Sequence, residues 1–142
     1  MINNNNRAIR GFTLVEIMIV VAIIALLAAI SIPGFTRARK RAQATTLLNN
    51  LRLIDTSKEQ YAAEYCKNIA TPVCSDLKGY FKSNSILYNA MLTGAANTSF
   101  KDAKIANVTF YINDTNTLPS INTNGAFSDA VDSNFWSPFS SN

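Results

Sequence analysis

An apolar run over residues 12–32 constrains this 142-residue chain more than any other feature. Its only polar side chains are Thr13, Glu16 and Ser31. As a helix the run would be ~31 Å long, which is the thickness of the hydrocarbon core of a bilayer. A soluble domain of this size has too small a core to cover a helix that is apolar on every face. The run therefore predicts a membrane-spanning segment.

A removable secretory signal is the main alternative for an apolar run near an N-terminus. Arg7 and Arg10 supply the basic region that precedes such signals. The run is longer than an ordinary signal, however, and it leads into Pro33 and the basic sequence RARKR instead of a small-residue cleavage site. Any processing is therefore expected before the apolar run and not after it.

The sequence GFTLVEIMIVVAIIALLAAISIP resembles the N-terminal segment of type IV pilins and type II secretion pseudopilins. The resemblance implies that a membrane peptidase cuts between Gly11 and Phe12 and then N-methylates Phe12. It implies further that Glu16 pairs with the terminal amine of a neighbouring subunit during assembly. Pro33 stands where the family keeps a proline, whereas Ala25 departs from the glycine that many members have.

Elementary electrostatics gives Glu16 a role that agrees with the resemblance. A carboxylate inside a membrane helix costs about 2.5–3.5 kcal/mol on insertion scales, and such residues usually have a partner and a function. Cleavage before Phe12 would create a positive amine four residues away, on the same helical face as the carboxylate. The helix dipole also favours a negative charge near the N-terminus. The alternative is that the Glu16 carboxylate only extends to the lipid headgroups. The surrounding motif favours pairing with the terminal amine instead.

Basic residues lie on both sides of the apolar run, so charge alone does not fix its orientation. Arg7 and Arg10 mark the N-terminal side as cytoplasmic, whereas the four basic residues in 37–41 would keep the C-terminal side inside. The resemblance decides between them, because pilins reach the outside through dedicated machinery. The expected localisation is a single-pass inner-membrane protein with a periplasmic C-terminal domain, which then enters a pilus or pseudopilus.

The charge distribution does not favour nucleic-acid binding, although the formal net charge is +4. Beyond residue 42 there are seven Lys and Arg against eight Asp and Glu, so the positive charge is local. A nucleic-acid interface needs a basic stripe.

The chain has no His, phosphate loop or nucleophile elbow. We therefore expect neither an enzyme nor a cofactor. Asp129 and Asp132 could indicate calcium, but a solvated acidic turn is the preferred interpretation, because the glycine-rich spacing is absent.

The helix is expected to continue beyond the apolar run as an amphipathic helix. Pro33 and Gly34 remove a backbone hydrogen bond and invite a kink. Beyond them, apolar or small residues recur in steps of three and four, with Lys58 as the one break. These residues are Ala44, Leu47, Leu51, Ile54, Tyr61 and Tyr65.

The remaining residues predict a small domain that packs against this helix. The sequence TPVCSDLKGYFK predicts a short helix, and SILYNAMLTG is ambiguous. In KIANVTFYIN, alternation places Val108, Phe110 and Ile112 on one face of a strand. A second strand is expected over residues 125–131, after the turn at Asn124. The expected fold class is α+β and pilin-like, with a long N-terminal helix packed on a small antiparallel sheet with short helices.

The two cysteines, Cys66 and Cys74, follow the long helix closely. In an extracytoplasmic domain a disulfide between them is the leading interpretation, and two free buried thiols are the alternative. A zinc site is not favoured, because two thiols without any His cannot complete the ligand set.

These observations divide the chain into four segments. They are a leader (1–11), a transmembrane or filament-core helix (12–33), an amphipathic continuation (34–65) and a small extracytoplasmic domain (66–142). The predicted function is a structural subunit of a type II secretion pseudopilus or a type IV pilus. The expected partners are other copies or related pilins, the prepilin peptidase and methylase, and an inner-membrane assembly platform. The alternative is a minor pilin that acts as a membrane-anchored binding module in DNA uptake or adhesion.

Overall fold

The computed structural model describes residues 11–65 and 71–141, without the side chain of Ser141. The chain divides into two compact units, Met1–Thr36 and Arg37–Asn142. Helix α1, Leu14–Tyr65, contributes its first part to one unit and its second part to the other. It confirms the long N-terminal helix expected from the sequence.

Within the first unit, helix α1 continues through Pro33. Proline has no N–H, so the carbonyl of Ala29 lacks its usual partner in the helical ladder. Two hydroxyls bond to nearby helix carbonyls: Ser31 donates to Leu27 (2.9 Å) and Thr36 donates to Pro33 (2.9 Å). The kink expected at Pro33 and Gly34 stays a prediction.

The second part of helix α1 buries the face that the sequence periodicity predicts. Ala44, Leu47, Leu51 and Ile54 are fully buried, and Tyr61 is nearly so. The prediction is wrong for Tyr65, whose side chain is 54% exposed and whose ring is tilted by 38° against that of Tyr61, with centroids 4.9 Å apart. Tyr65 is the last residue of the helix, so the buried face ends one turn earlier than expected.

Two short helices follow the long one. Helix α2, Cys74–Leu77, runs into a 3-10 turn, Lys78–Tyr80, which confirms the short helix predicted around Pro72. Helix α3, Ile86–Thr93, resolves the ambiguous segment. The hydroxyl of Ser85 accepts a hydrogen bond from the amide of Tyr88 (3.1 Å) and caps the first turn of α3. Another 3-10 turn, Ser133–Trp136, lies near the C-terminus.

The sheet in the described residues has four short strands in the order β1-β2-β3-β4. These strands are β1 (Ser99–Lys101), β2 (Thr109–Tyr111), β3 (Ser120–Asn122) and β4 (Ser140–Ser141). The first three are antiparallel, and Phe110 faces Phe100 on one side and Ile121 on the other. Strand β4 adds in parallel to β3. The predicted strand is therefore present as β2, and Val108 and Ile112 flank it as buried residues.

The strand expected over residues 125–131 is wrong. Asn124 and Gly125 adopt left-handed conformations, with φ of 47° and 71°, and a series of turns follows. The amides of Ala130 and Val131 both bond to the carbonyl of Phe127, at 2.9 and 3.0 Å. These groups are used locally and are not available to a neighbouring strand.

A single buried cluster joins helix α1 to the short helices and the sheet. Phe100 and Phe110 stack with centroids 5.2 Å apart, and Phe127 and Trp136 close the cluster from the C-terminal segment. The α+β, pilin-like fold class is thus confirmed, with β4 as an addition to the antiparallel sheet.

Phe110→Ala should destabilise the second unit by about 3–5 kcal/mol, because it removes a fully buried ring and leaves a cavity at the centre of the sheet. Urea unfolding of the full chain in detergent, followed by near-UV circular dichroism, would measure the loss. Leu92→Ala is the matched control, because Leu92 is a large apolar residue that is 44% exposed, and its removal should change stability by less than about 1 kcal/mol. Equal losses in the two variants would contradict the assigned core.

Candidate functional site

The N-terminal end of helix α1 is closed by a reciprocal pair of side chains. Thr13 precedes the helix, and its backbone amide and its hydroxyl each donate to Oε2 of Glu16 at 2.8 Å. In return, the amide of Glu16 donates to the hydroxyl of Thr13 at 3.2 Å. This is the capping-box arrangement, in which two backbone N–H groups that lack helical partners are satisfied together. Glu16 is therefore held at the start of the helix.

The apolar side chains between this cap and the basic run are exposed to solvent in the described structure. Phe12 is 84% exposed and Phe35 is 71% exposed, and large apolar residues on all sides of the helix between them are similarly open. Helix α1 is long and apolar enough to cross a membrane. A patch of this extent is far larger than an ordinary monomer leaves in water, so it marks a surface for lipid or for other apolar helices.

The basic run forms one ion pair with the C-terminal segment. The ammonium of Lys40 donates to both carboxylate oxygens of Asp129, each at 2.8 Å. The Lys40 hydrogen bond is the main cause that lowers the pKa of Asp129, and Arg37 contributes a smaller attraction. Both partners are about half exposed, so the pair contributes little stability by itself. It links the turns around Asp129 to the second part of helix α1.

The two carboxylates that could indicate calcium have other neighbours in the described structure. Asp129 is engaged by Lys40, whereas Asp132 lies with Arg41 and Phe135 in a cleft of about 150 Å³. Within residues 11–65 and 71–141 no group of three or more His, Cys, Asp or Glu side chains is placed to hold a metal ion. Asp129 instead helps to attach the C-terminal turns to the helix.

Lys58 breaks the apolar pattern of the sequence but does not leave the buried face. Its side chain is only 1% exposed, and its ammonium donates to the carbonyl of Thr117 at 2.5 Å. Burial lowers the pKa of Lys58, while Asp55 and Asp114 oppose that shift. A lysine can lie in this position because its long aliphatic stem packs in the core while its ammonium reaches a polar group. Lys58 thereby fixes the loop between β2 and β3.

A tyrosine closes the far end of helix α1. The hydroxyl of Tyr80 donates to Oε2 of Glu64 at 2.5 Å. The hydrogen bond to Glu64 raises the pKa of Tyr80 to about 12, because ionising the phenol would lose the donor and place two negative charges together. This contact joins the 3-10 turn after α2 to the last turn of α1.

The structure describes one of the two cysteines. Cys74 is buried at the start of α2, with its amide bonded to the carbonyl of Asn97 at 3.0 Å. Its sulfur lies 3.5 Å from where a Cβ on Gly94 would stand, so the two helices approach closely there. Cys66 lies outside the described residues, and the Cys66–Cys74 disulfide stays a prediction.

The sequence-predicted site residues fall into separate parts of the described structure. Gly11, Phe12 and Glu16 are together at the N-terminal end, with the first two preceding helix α1. Sequence reasoning missed the Lys40–Asp129 and Lys58–Thr117 contacts, which join residues 89 and 59 positions apart. The sequence did contain a signal for Lys58. It occupies a position in the repeating pattern of apolar residues, and such positions face the core.

Comparisons with known proteins give a consistent result. A family model described as "Prokaryotic N-terminal methylation motif" matches residues 6–32. The type IV major pilin protein PilA of Myxococcus xanthus is 46% identical over 55 residues, which are 39% of this chain and 25% of that protein. The type IV wide pilus major component PilA4 of Thermus thermophilus is 41% identical over 75 residues, which are 51% of this chain and 57% of that protein.

One further relative is matched over a larger share of the chain. The type IV major pilin protein PilE1 of Neisseria gonorrhoeae is 31% identical over 114 residues, which are 68% of this chain and 66% of that protein. The chain thus spans between a quarter and two thirds of the length of these three relatives. No solved structure matches the chain.

Tyr80→Phe should remove one late step from the alkaline titration of this chain. Because the folded pKa of Tyr80 is raised to about 12, the Glu64 contact stabilises the fold below pH ~10 and is lost as the pH rises from ~10 to ~12. Absorbance at 295 nm, a wavelength for tyrosinate, would follow the titration of parent and variant. Glu64→Gln is the control, because it keeps the Tyr80 phenol but removes the neighbouring carboxylate, so the late step should move to lower pH. A late step that is unchanged in both variants would contradict the assigned contact.

Proposed function

The chain belongs to the type IV pilin family, and we propose that it is a structural subunit of a pilus filament. Pilins are structural subunits and not enzymes, and this chain is assigned accordingly. The names of the relatives support a pilus, because three of them are major pilins or a major pilus component. In this proposal the subunits polymerise through the first part of helix α1.

The exposed apolar surface of helix α1 is the observation that carries the proposal. The surface surrounds the helix from Phe12 to Phe35, so no polar stripe is left for water. Before assembly a bilayer would cover it, and after assembly the same surface of neighbouring copies would cover it. The second part of the helix has a covered face and an exposed face, which suits a segment that carries a folded domain outside the bilayer.

The proposed maturation starts from a precursor with a leader over residues 1–11. The prepilin peptidase would cut between Gly11 and Phe12 and methylate the new terminus, after which an inner-membrane assembly platform would receive the subunit. The match of the methylation motif to residues 6–32 supports this order of events. The precursor would be a single-pass inner-membrane protein with its C-terminal domain in the periplasm.

The geometry at Glu16 supports its proposed assembly contact. Both hydrogen bonds from Thr13 end on Oε2, and within the described residues Oε1 of Glu16 accepts none. A carboxylate has room for several donors, so Oε1 can accept the Phe12 amine of a neighbouring subunit while the cap stays intact. The pairing would neutralise two opposite charges inside an apolar filament core.

Gly11→Val should leave an uncut precursor in the membrane. A Cβ added at Gly11 meets no atom within 4 Å, so a defect would arise from the peptidase and not from strain in this chain. Intact mass and N-terminal sequencing would show residues 1–11 retained. Gly11→Ala is the matched control and should be cut to a larger extent than Gly11→Val. A mature parent chain that begins anywhere other than Phe12 would refute the assigned cleavage site.

Glu16→Leu and Glu16→Gln should both block polymerisation while leaving cleavage and membrane insertion intact. Leucine removes a carboxylate that costs about 2.5–3.5 kcal/mol in a membrane helix, so the processed subunit should accumulate. Glutamine keeps the shape and loses the charge, so it separates electrostatics from packing. The measurement is shear-released polymer against processed, membrane-bound monomer.

Thr13→Val is the control for the Glu16 variants. It removes one hydroxyl donor from the cap but leaves the charge of Glu16 and the Thr13 amide bond in place. This variant should polymerise close to the parent level. Parent-level polymer from both Glu16 variants would show that the carboxylate is not an assembly contact.

A further inference from the structure

Three arginines at the start of the second unit are exposed and unpaired. The exposed apolar surface of helix α1 ends at Phe35. Arg37, Arg39 and Arg41 follow it along the same helix, and all three are exposed. Within residues 11–65 and 71–141, none of the three guanidinium groups forms an ion pair within 4.0 Å or donates a hydrogen bond.

Lys40 belongs to the same basic run but has a partner. Its ammonium donates to both carboxylate oxygens of Asp129, each at 2.8 Å. The same carboxylate attracts Arg37 more weakly, without an ion pair. Asp132 lines a cleft together with Arg41, again without an ion pair. The folded unit thus neutralises one cation of the basic run and leaves the three arginines free.

The three arginines surround helix α1 instead of forming a patch on one face. Each helical residue advances ~1.5 Å and turns by about 100°, so Arg37 and Arg41 lie on one side and Arg39 lies on the nearly opposite side. These residues, called the arginine belt below, extend over ~6 Å along the helix axis. A protein surface that approaches from one side can meet Arg39 or the other two arginines, but not all three.

A layer of lipid headgroups has the shape that the arginine belt requires. The headgroup region on each side of a bilayer is roughly 5–8 Å deep, and it surrounds any helix that passes through it. This depth matches that of the belt. Guanidinium groups bind phosphate oxygens through parallel N–H donors. The belt also belongs to a helix that is long and apolar enough to cross a membrane.

We propose that Arg37, Arg39 and Arg41 bind the headgroups of anionic phospholipids, in the leaflet on the side of the C-terminal domain. The contact fixes the depth of the subunit in the bilayer, because a shift by one helical turn (~5.4 Å) would carry guanidinium groups out of the phosphate layer. It also opposes extraction of the subunit into a filament. The inference rests on the proposed function for the identity of the leaflet, which is the periplasmic one.

Native mass spectrometry of the full chain in neutral detergent micelles tests the contact. The micelles contain phosphatidylglycerol or, at equal mole fraction, phosphatidylcholine with the same acyl chains. The parent should retain more phosphatidylglycerol than phosphatidylcholine. Replacing all three arginines by glutamine should lower phosphatidylglycerol retention by at least about tenfold, since one basic residue near an anionic surface changes binding by about fivefold.

Two conditions make the comparison specific. Arg7→Gln and Arg10→Gln are present in every chain of the series, so that the leader adds no retention of its own. The near-UV circular dichroism of the buried Trp136 should be unchanged in all variants, which controls for folding.

Arg39→Gln against Arg52→Gln separates the arginine belt from net charge. Arg52 is also exposed and without an ion pair in the described residues, but it lies eleven residues after Arg41, or ~16 Å along the axis. This distance exceeds the Debye length of about 8 Å at physiological ionic strength. Arg39→Gln should lower phosphatidylglycerol retention by about fivefold, and Arg52→Gln by less than about twofold. Equal losses would overturn the belt in favour of a general effect of charge.

The ion pair of Lys40 provides a variant that should gain lipid. Asp129→Asn releases the Lys40 ammonium within the depth of the arginine belt and should raise phosphatidylglycerol retention by about fivefold. Asp129→Asn with Lys40→Gln removes the whole pair without changing the net charge, and should return retention to the parent level. The absence of a gain in Asp129→Asn would contradict the proposal, because a fourth free cation at this depth would then not bind lipid.

Three further results would overturn the arginine belt. The first is equal retention of the two lipids by the parent. The second is displacement of phosphatidylglycerol by an excess of glycerol phosphate, which would assign the arginines to free phosphate. The third is unchanged retention in the triple variant with a loss of shear-released polymer, which would assign them to carboxylates of another copy. A parent that retains phosphatidylglycerol selectively but forms no filament would refute the proposed function and support the belt.

Discussion

The apolar side chains around the first part of helix α1 must be removed from water, and the organisation of the chain depends on that requirement. Hydrophobic burial has no directional preference, so lipid tails and the apolar faces of other helices satisfy it equally. One segment can therefore serve as a membrane anchor and as a polymer contact without refolding. Because apolar burial stabilises the membrane-inserted subunit and the polymerised subunit alike, only the few polar groups on the helix can favour one state over the other.

Two lysines extend the role of helix α1 beyond its apolar core. Lys40 and Lys58 are eighteen residues apart, which is about five helical turns, and so lie on the same side of helix α1. Lys40 binds Asp129 in the C-terminal turns, and Lys58 binds the carbonyl of Thr117 in the loop between β2 and β3. Strands of two or three residues hold such segments weakly, so contacts from a rigid helix take over part of that function.

The sequence predicted those parts of the fold whose side chains repeat with a clear period. Helix α1 and the alternation around Phe110 were predicted correctly, because burial selects apolar residues at every turn or at every second position. Strands β1 and β3 could not be predicted, since each of these three-residue strands contributes a single large apolar residue to the core, Phe100 or Ile121. Their pairing depends on partners elsewhere in the chain.

Residues 125–131 show how a similar composition can mislead. Phe127 is buried and Val131 is partly buried, four residues apart, which is a spacing for successive turns and not for alternation along a strand. At the candidate site, the motif located Gly11, Phe12 and Glu16, but the contacts of Lys40 and Lys58 depend on tertiary structure. A sequence pattern predicts which face of a helix is covered more readily than it predicts which loop covers it.

In the proposed assembly, Glu16 would be the polar group that distinguishes the membrane from the filament. In the described structure one of its oxygens is used to cap the helix, and the helix dipole favours its charge there. These interactions lower the cost of a carboxylate near the edge of a bilayer but do not neutralise it. A filament core is drier than that edge, so the charge becomes more costly on assembly unless an opposite charge arrives with it. An amine created at Phe12 by cleavage would supply that charge only after processing. An uncut precursor has no amine at Phe12, so it would bring an uncompensated carboxylate into the filament. The electrostatic cost that the amine offsets in the mature subunit would then exclude the precursor.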